Sequence, residues 1–516
     1  VNAAGGHHGV ERLYRADLRI MSSPVPNPPP LGFPLKLTYG VGSVAYGVSA
    51  GALSATVLVY YFNQVMHIPA VWAGAAILVS LVADVILDLL IGYWSDNLRS
   101  RLGRRHPFMY AAAVPVAVFF YFLWHAPRAL EGASALLFAI AMLIGVRVSV
   151  ASYEIPSTAL TPELAPDYHQ RTSLLAYRWF FAMASIGVIQ LLLYVVYLRQ
   201  DAANPLGARN PERYAEFGAM AAIVMLVCIL ASSAATHSRI PFLHTAPRRR
   251  VTMAKTFRDI ASVFTNPALL VLMSSSLLGG AGVGITTALQ TYFYLHLWGL
   301  LPQTIGPLSL GALLASVAGV FLAPAISKKF GKKRAMIVLL SISVVTSILP
   351  VSARLLGLMP PNGSQLLFVL LFLDVFVTLT LGLMGLVLVT SMVADVVEDQ
   401  QVKSGVRSEG VLFAANGLVP KVTLGLGAFI AGILLTVVRF PTYPGAVIDP
   451  QIMRHLALAW IPCVVALNGG SVVALLFYRI DHQTHERNVE SLRAAAALAE
   501  TGQLAVDISG AVERLG

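Results

Sequence analysis

Charge is what this chain has least of. Only 12% of its 516 residues are Asp, Glu, Lys or Arg, while 57% are hydrophobic and the mean hydropathy is +0.72. A soluble domain carries about 25% charged residues, so an ordinary soluble enzyme or binding module is excluded. Cysteine is also scarce. Cys228 and Cys463 are the only two, each inside an apolar run, which excludes a disulfide framework and a cysteine metal centre. The histidines lie mostly in tails and loops, without the spacing of metal ligands. No nucleophile–base set is visible, which argues against a membrane enzyme. Residues 1–34 lack the apolar core of a secretory signal. The net charge of +11 does not point to nucleic acid, because Lys and Arg gather in short loops between apolar stretches.

What the chain does have is long apolar runs. They are too continuous for barrel strands, and in lipid only helices or closed barrels satisfy their backbone groups. The expectation is an all-α membrane protein with twelve transmembrane helices. Runs of about 20 apolar residues place the spans at 35–62, 70–94, 107–125, 134–161, 172–198, 215–236, 268–297, 303–326, 335–357, 365–394, 410–438 and 454–478. The loops 95–106, 237–267 and 327–334 are rich in Lys and Arg, whereas 63–69, 298–302 and 358–364 have none. That bias puts both termini in the cytoplasm, with the bacterial inner membrane as the site. The division is a tail over 1–34, a first six-helix half over 35–236, a linker over 237–267, a second half over 268–478 and a tail over 479–516. Residues 1–20 read as an upstream extension ahead of Met21.

A few ionisable residues stand inside the spans, where each costs about 2.5–3.5 kcal/mol and so calls for a reason. Asp84 and Asp88 are four apart in span two, on one helical face. They read as a cation or proton pathway, or else as a structural pair bonded to neighbouring helices. Glu154 precedes Pro156, which should free a carbonyl beside the carboxylate. Glu154 thus reads as a cation ligand or as a cap near a kink. Arg178 reads either as an arginine reaching to the interface or as a functional group. Lys421, after Pro420, reads as a counter-ion for an acid. Asp374 is lone and deep, and Arg147 reads as structural. Asp395, Glu398 and Asp399 end span ten and read as gate or loop contacts. The run Gly279-Gly280-Ala281-Gly282-Val283-Gly284 reads as close helix packing, not a phosphate cradle.

The two halves repeat. Gly103-Arg104-Arg105 follows span two, and Gly331-Lys332-Lys333-Arg334 stands in the equivalent loop after span eight. With Asp96, the first copy resembles the loop signature of the major facilitator superfamily. More specific segments are Lys36-Leu37-Thr38-Tyr39-Gly40-Val41-Gly42, Val82-Ala83-Asp84-Val85-Ile86-Leu87-Asp88, Glu154-Ile155-Pro156, and Met392-Val393-Ala394-Asp395-Val396-Val397-Glu398-Asp399 leading to Arg407-Ser408-Glu409 and Lys421. Over residues 34–480 the chain resembles the glycoside–pentoside–hexuronide:cation symporters, the melibiose-permease group of that superfamily.

The resemblance implies a major facilitator fold and cation-coupled symport of a glycoside or related sugar derivative by alternating access. It implies a cation site of Asp84, Asp88 and Glu154 with Lys421 nearby, and a sugar contact at Arg178. Three close carboxylates repel, and a proton or monovalent cation would relieve that. Asp96, Gly103, Arg104, Arg105, Asp395, Glu398 and Arg407 are expected to act in conformational change. Tyr46, Thr158 and Asp374 complete the expected substrate contacts. The chain departs from the group where span one carries Tyr46 and Gly47 instead of a Lys-Asp pair, where Thr158 replaces a tryptophan, and where Ala151 replaces a threonine that ligates sodium. The galactoside pocket is therefore not expected. With one sodium oxygen lost, a proton is favoured over Na+ as coupling ion; no cofactor is expected, and no metal unless sodium binds at the three acids. The expected partners are a small-molecule glycoside and the lipid bilayer around a monomer. The competing readings are a drug or metabolite exporter of the same superfamily and a non-transporting membrane sensor.

Overall fold

The computed structural model describes residues 31–165, 167–243, 266–404, 409–443, 447–480, 484 and 486–493. Arg407 and most of the expected tails and linker lie outside the described residues. The fold is helical: α1 (Phe33–Val41), α2 (Val44–Ala52), α3 (Ala55–Tyr60), α4 (Ala70–Asn97), α5 (His106–Trp124), α6 (Gly132–Leu164), α7 (Tyr168–Leu191), α8 (Pro211–His237), α9 (Pro267–Tyr292), α10 (Pro302–Phe330), α11 (Lys332–Leu355), α12 (Gln365–Ser404), α13 (Glu409–Val437) and α14 (Pro450–Leu476). Among the described residues, 10 helices are long and apolar enough to cross a membrane. Two bent pairs raise the number to 12. The first bent pair is span one itself, which turns by 45° between Ala52 and Ala55 instead of running straight over 35–62. Span ten reaches well past its expected end, because α12 continues to Ser404.

Local chemistry sets the helix starts. Pro211, Pro267 and Pro450 open their helices, where a missing N–H costs nothing. The preceding Asn210, Asn266 and Asp449 side chains accept from the first free backbone N–H groups. The two basic loops turn alike, with Gly103 and Gly331 both at φ 75°, a conformation that costs glycine little. A third repeated device was not expected. Spans one, five and seven each end in a short π-helical turn, at Tyr61–Val65, Leu192–Tyr197 and Phe293–Leu297.

Close backbone approach joins the halves along α4 and α13. A Cβ on Gly74 would stand 2.4 Å from the Ala428 carbonyl oxygen, and one on Gly432 would stand 2.3 Å from that of Ala70. Small residues allow such contact where lipid gives no hydrophobic drive. The Gly279–Gly284 run packs as expected: a Cβ on Gly280 would meet Thr423 Oγ1 at 2.6 Å, and α13 Gly427 faces Gly284.

Hydrogen bonds between the halves gather at the end bearing the 63–69 and 298–302 loops. Tyr292 Oη donates to Asn63 Oδ1 at 2.8 Å, and Gln64 Nε2 donates to the Pro441 carbonyl at 3.0 Å. Thr291 Oγ1 donates to the Thr56 carbonyl at 2.7 Å, and Gln303 pairs with Gln200. Tyr60 packs edge-on against Tyr292 with centroids 5.1 Å apart.

Candidate cation and substrate sites

Four helices bring the expected charges to the middle of the bundle. Asp84 and Asp88 lie on α4, Arg147 and Glu154 on α6, Arg178 on α7 and Lys421 on α13. They do not form one site. They form two ion-paired groups with different owners.

The first group spans the halves. Lys421 Nζ, from the second half, donates to Asp84 Oδ2 at 2.8 Å and to Asp88 Oδ2 at 2.5 Å. The expectation of a lysine counter-ion is met. The two acids are not equivalent, since the Asp84 side chain is 10% exposed and that of Asp88 is 28% exposed. Asp84 has a second cation beside it. Arg147 Nη1 stands 3.8 Å from Asp84 Oδ2, and Arg147 Nε donates to Ser80 Oγ at 3.2 Å. Ser80 lies one turn before Asp84, and its own hydroxyl donates to the Ile77 carbonyl at 2.8 Å.

The second group stays within the first half. Arg178 Nη2 donates to Glu154 Oε1 at 2.5 Å and to Thr158 Oγ1 at 3.0 Å, while Nη1 donates to Ser157 Oγ at 2.6 Å. Its guanidinium also lies 5.1 Å from the Tyr39 ring centroid, a cation–π contact. Tyr39 Oη in turn donates to the Ser157 carbonyl at 2.5 Å. Arg178 is buried, which overturns the reading of an arginine reaching to the interface.

The three-acid cluster is corrected accordingly. Glu154 faces Arg178 rather than sharing a ligand with Asp84 and Asp88, and among the described residues no three His, Cys, Asp or Glu could hold a metal ion. Pro156 lies inside α6, which runs on through it, and with no N–H to donate it leaves the Ser152 carbonyl, one turn back, without its helix hydrogen bond. Glu154 Oε2 is buried without a hydrogen-bond partner. Tyr46 lies within electrostatic reach of members of both groups, Glu154, Lys421, Asp84 and Asp88. Asp374 joins neither group. Its hydrogen bond is a long one from Thr378 Oγ1 at 3.5 Å, and it lies within electrostatic reach of Tyr294. Tyr294 Oη accepts from Gln290 Nε2 at 2.7 Å.

The loop residues pair symmetrically. Arg104 Nη2 and Arg105 Nε both hold Glu163 Oε1, at 2.6 and 2.9 Å, and Arg105 Nη2 reaches Asp96 Oδ1 at 3.0 Å. In the second half Lys332 Nζ holds Asp395 Oδ1 at 2.5 Å. Glu163 stands at the end of span four and Asp395 nine residues before the end of α12, the corresponding span of the second half, so in each half a basic loop residue is held by an acid of the fourth span. Glu163 was missed in the sequence. Its signal was its place late in span four, the counterpart of the span that carries Asp395 in the other half. Asp399 Oδ1 accepts from Asn488 Nδ2 at 3.4 Å. Glu398 Oε2 is buried.

A family model described as MFS/sugar transport protein matches residues 38–482. The chain belongs to this family. It is a membrane transporter and not an enzyme. Among its relatives in the family, the isoprimeverose transporter of Lactiplantibacillus pentosus is 24% identical, covering 86% of this chain and 88% of that protein. A protein of Escherichia coli provisionally named a glycoside/cation symporter is 22% identical, covering 86% and 91%. The fold is similar to that of a D-xylose–proton symporter (TM-score 0.55, 16% identity, covering 86% of this chain and 97% of that one) and of a nucleoside transporter (TM-score 0.61, 14% identity, covering 86% and 100%).

Proposed function

We infer that this member of the sugar transport family is a cation-coupled symporter of a glycoside, with the bilayer-embedded chain acting as two six-helix halves, 35–236 and 268–478, joined by the linker 237–267. The observation that carries the reading is Lys421, a cation of one half held between Asp84 and Asp88 of the other. A coupling cation that binds the two aspartates competes with Lys421. Its arrival releases the lysine and with it a tie between the halves. The lysine and the cation contend for the same two carboxylates, so the bound cation and the closed cross-half pair exclude one another. This is the condition for coupling ion binding to alternating access.

The cross-half bonds gathered at the 63–69 end support a state open towards the basic loops, which we assign to the cytoplasm together with both termini and the bacterial inner membrane. The Asp96–Arg105–Glu163 and Lys332–Asp395 pairs then brace the loop ends of each half during rocking, with Arg104 and Gly103 shaping the first loop and Glu398 and Arg407 assigned to the second.

Substrate hydroxyls would meet Arg178, Thr158, the free oxygen of Glu154, and Tyr46, which lies next to the cation group. Asp374 would supply a contact from the second half. The guanidinium fork held by Ser157 and Glu154 is fixed in direction, which suits a polyol. The names of the isoprimeverose transporter and the glycoside/cation symporter favour a glycoside. One observation favours a second reading, export: a relative in Escherichia coli, 24% identical, is provisionally named a 2,3-dihydroxypropane-1-sulfonate exporter.

A proton is the favoured coupling ion. Sodium needs several oxygens, and Ser80, the hydroxyl one turn from Asp84, already accepts from Arg147 while donating to the Ile77 carbonyl. Ala151 offers no oxygen. The test is uptake of labelled isoprimeverose and a panel of methyl glycosides into proteoliposomes, under an imposed pH gradient and, separately, a sodium gradient. Uphill uptake driven by the pH gradient is expected. Uptake that ignores both gradients overturns symport, and uptake that needs only sodium overturns the ion.

A further inference from the structure

Asp84 and Asp88 carry two negative charges, and two cations answer them, but those cations sit on different bodies. Lys421 belongs to α13 of the second half. Arg147 belongs to α6, which packs against α4 within the first half. Arg147 is 14% exposed and is tied to α4 twice, through Ser80 at 3.2 Å and Asp84 at 3.8 Å. When the halves rock, Lys421 can leave the aspartates. Arg147 travels with them.

We propose that Arg147 is a resident counter-charge that fixes how many cations the site takes up: by neutralising Asp84 in every state, it leaves the demand for a single monovalent cation, centred on Asp88. This rests on the symport reading above and adds the charge count to it. With Lys421 in place the group of Asp84, Asp88, Arg147 and Lys421 sums to zero. After Lys421 leaves it sums to minus one. Without Arg147 it would sum to minus two and call for two cations. The exposures agree with this division, since Asp84 is the shielded acid at 10% and Asp88 the more open one at 28%. The other groups facing this charge set are Glu154 on α6, whose Oε1 is held by Arg178, and the Tyr46 phenol from α2. The Glu154–Arg178 pair is neutral as a unit and does not alter the sum.

The prediction is a second-site rescue. The full-length chain is reconstituted in proteoliposomes on a supported membrane, and H+ jumps and Na+ jumps are applied without substrate, so the probe is the ion itself. The wild-type chain should give a charge displacement with one of the two ions. Asp84→Asn should abolish it, because Arg147 then neutralises Asp88 once Lys421 has gone. Asp84→Asn combined with Arg147→Gln should restore it, because the departing lysine again leaves one negative charge. Arg147→Gln alone should roughly double the displaced charge, and Arg147→Lys, which keeps the charge without the fork, should give the wild-type value. A silent double variant that elutes as a folded protein overturns the proposal, as does wild-type displacement in Arg147→Gln. A wild-type chain silent to both ions overturns the symport reading on which the proposal stands. If the double variant does not fold, the comparison of Arg147→Gln with Arg147→Lys decides.

Discussion

Two buried ion-paired groups lie side by side in this transporter, and they differ in ownership. Lys421–Asp84–Asp88 joins helices from opposite halves, whereas Arg178–Glu154 joins α7 to α6 within one half and is further held by Ser157, Thr158 and the Tyr39 ring. The chemistry of the two is alike. A pair whose members move apart can act as a switch, while one whose members move together can only present a fixed surface. Burial follows the same division. Arg178 is 5% exposed, and Lys421 is 33% exposed, so the cross-half pair is the one that solvent and ions can reach.

The comparison breaks most sharply at Asp88. Asp88→Asn should abolish uphill accumulation, because the only acid left is Asp84, which Arg147 already answers. Downhill exchange of labelled glycoside is the control measurement. Uphill accumulation at the wild-type level would place the switch elsewhere. The fixed group should respond differently. Arg178→Lys keeps the charge but cannot serve Ser157, Thr158 and Glu154 at once. A loss of substrate affinity of about 10-fold to 100-fold is expected, from one hydrogen bond to a charged group at about 1.5–3 kcal/mol, with the ion-jump response retained. Calorimetric binding of the transported glycoside, set against charge displacement, reads the two separately.

A third prediction tests the contact on which closure of the 63–69 end depends. Gly432→Val puts branched carbons where even a Cβ would stand 2.3 Å from the Ala70 carbonyl oxygen. The end carrying the 63–69 loop should then close poorly. A cysteine placed near that end should become more reactive to a membrane-impermeant maleimide, and unchanged labelling would remove this seam from the mechanism. The smallest effect is expected at the loop pairs. Lys332→Ala loses a partly exposed ion pair with Asp395, whose measured worth in proteins is commonly about 0.2–1 kcal/mol. It should slow uptake severalfold without changing ion dependence. Equal loss from Lys332→Ala and from Asp88→Asn would erase the distinction between bracing and switching.

Much of this was legible in the sequence because lipid enforces it. The span count, the basic loops and the paired acids of span two all follow from the cost of putting polar groups in hydrocarbon. Lys421 could be read as a counter-ion for the same reason. Arg147 could not be assigned beyond a structural role. Its distance from Asp84 depends on how α4 and α6 pack, and nothing in either helix alone states that. The three acids read as one cluster because helical spacing places Asp84 and Asp88 on one face, while Glu154 lies on a different helix whose facing is set by tertiary contacts. The same holds for Arg178. Its position a turn or two past the expected start of span five fits an interface anchor, and only the presence of Glu154, Ser157 and Tyr39 around it gives it a buried role.

By itself, then, the sequence determined that the chain is a bundle of membrane helices in two repeated halves with charge placed inside them, because hydropathy and the cost of buried charge act on every residue independently of its partners. Tertiary structure alone decided which charge answers which. Lys421 could reach either Asp84 or Glu154 from another half, and Glu154 could pair with either Lys421 or Arg178. The outcome rests on glycine contacts such as Gly74 against Ala428 and Gly432 against Ala70 that set the approach of α4 to α13. Coulomb attraction falls with distance and is weak until partners meet, so the pairing is a property of packing and not of the residues that pair.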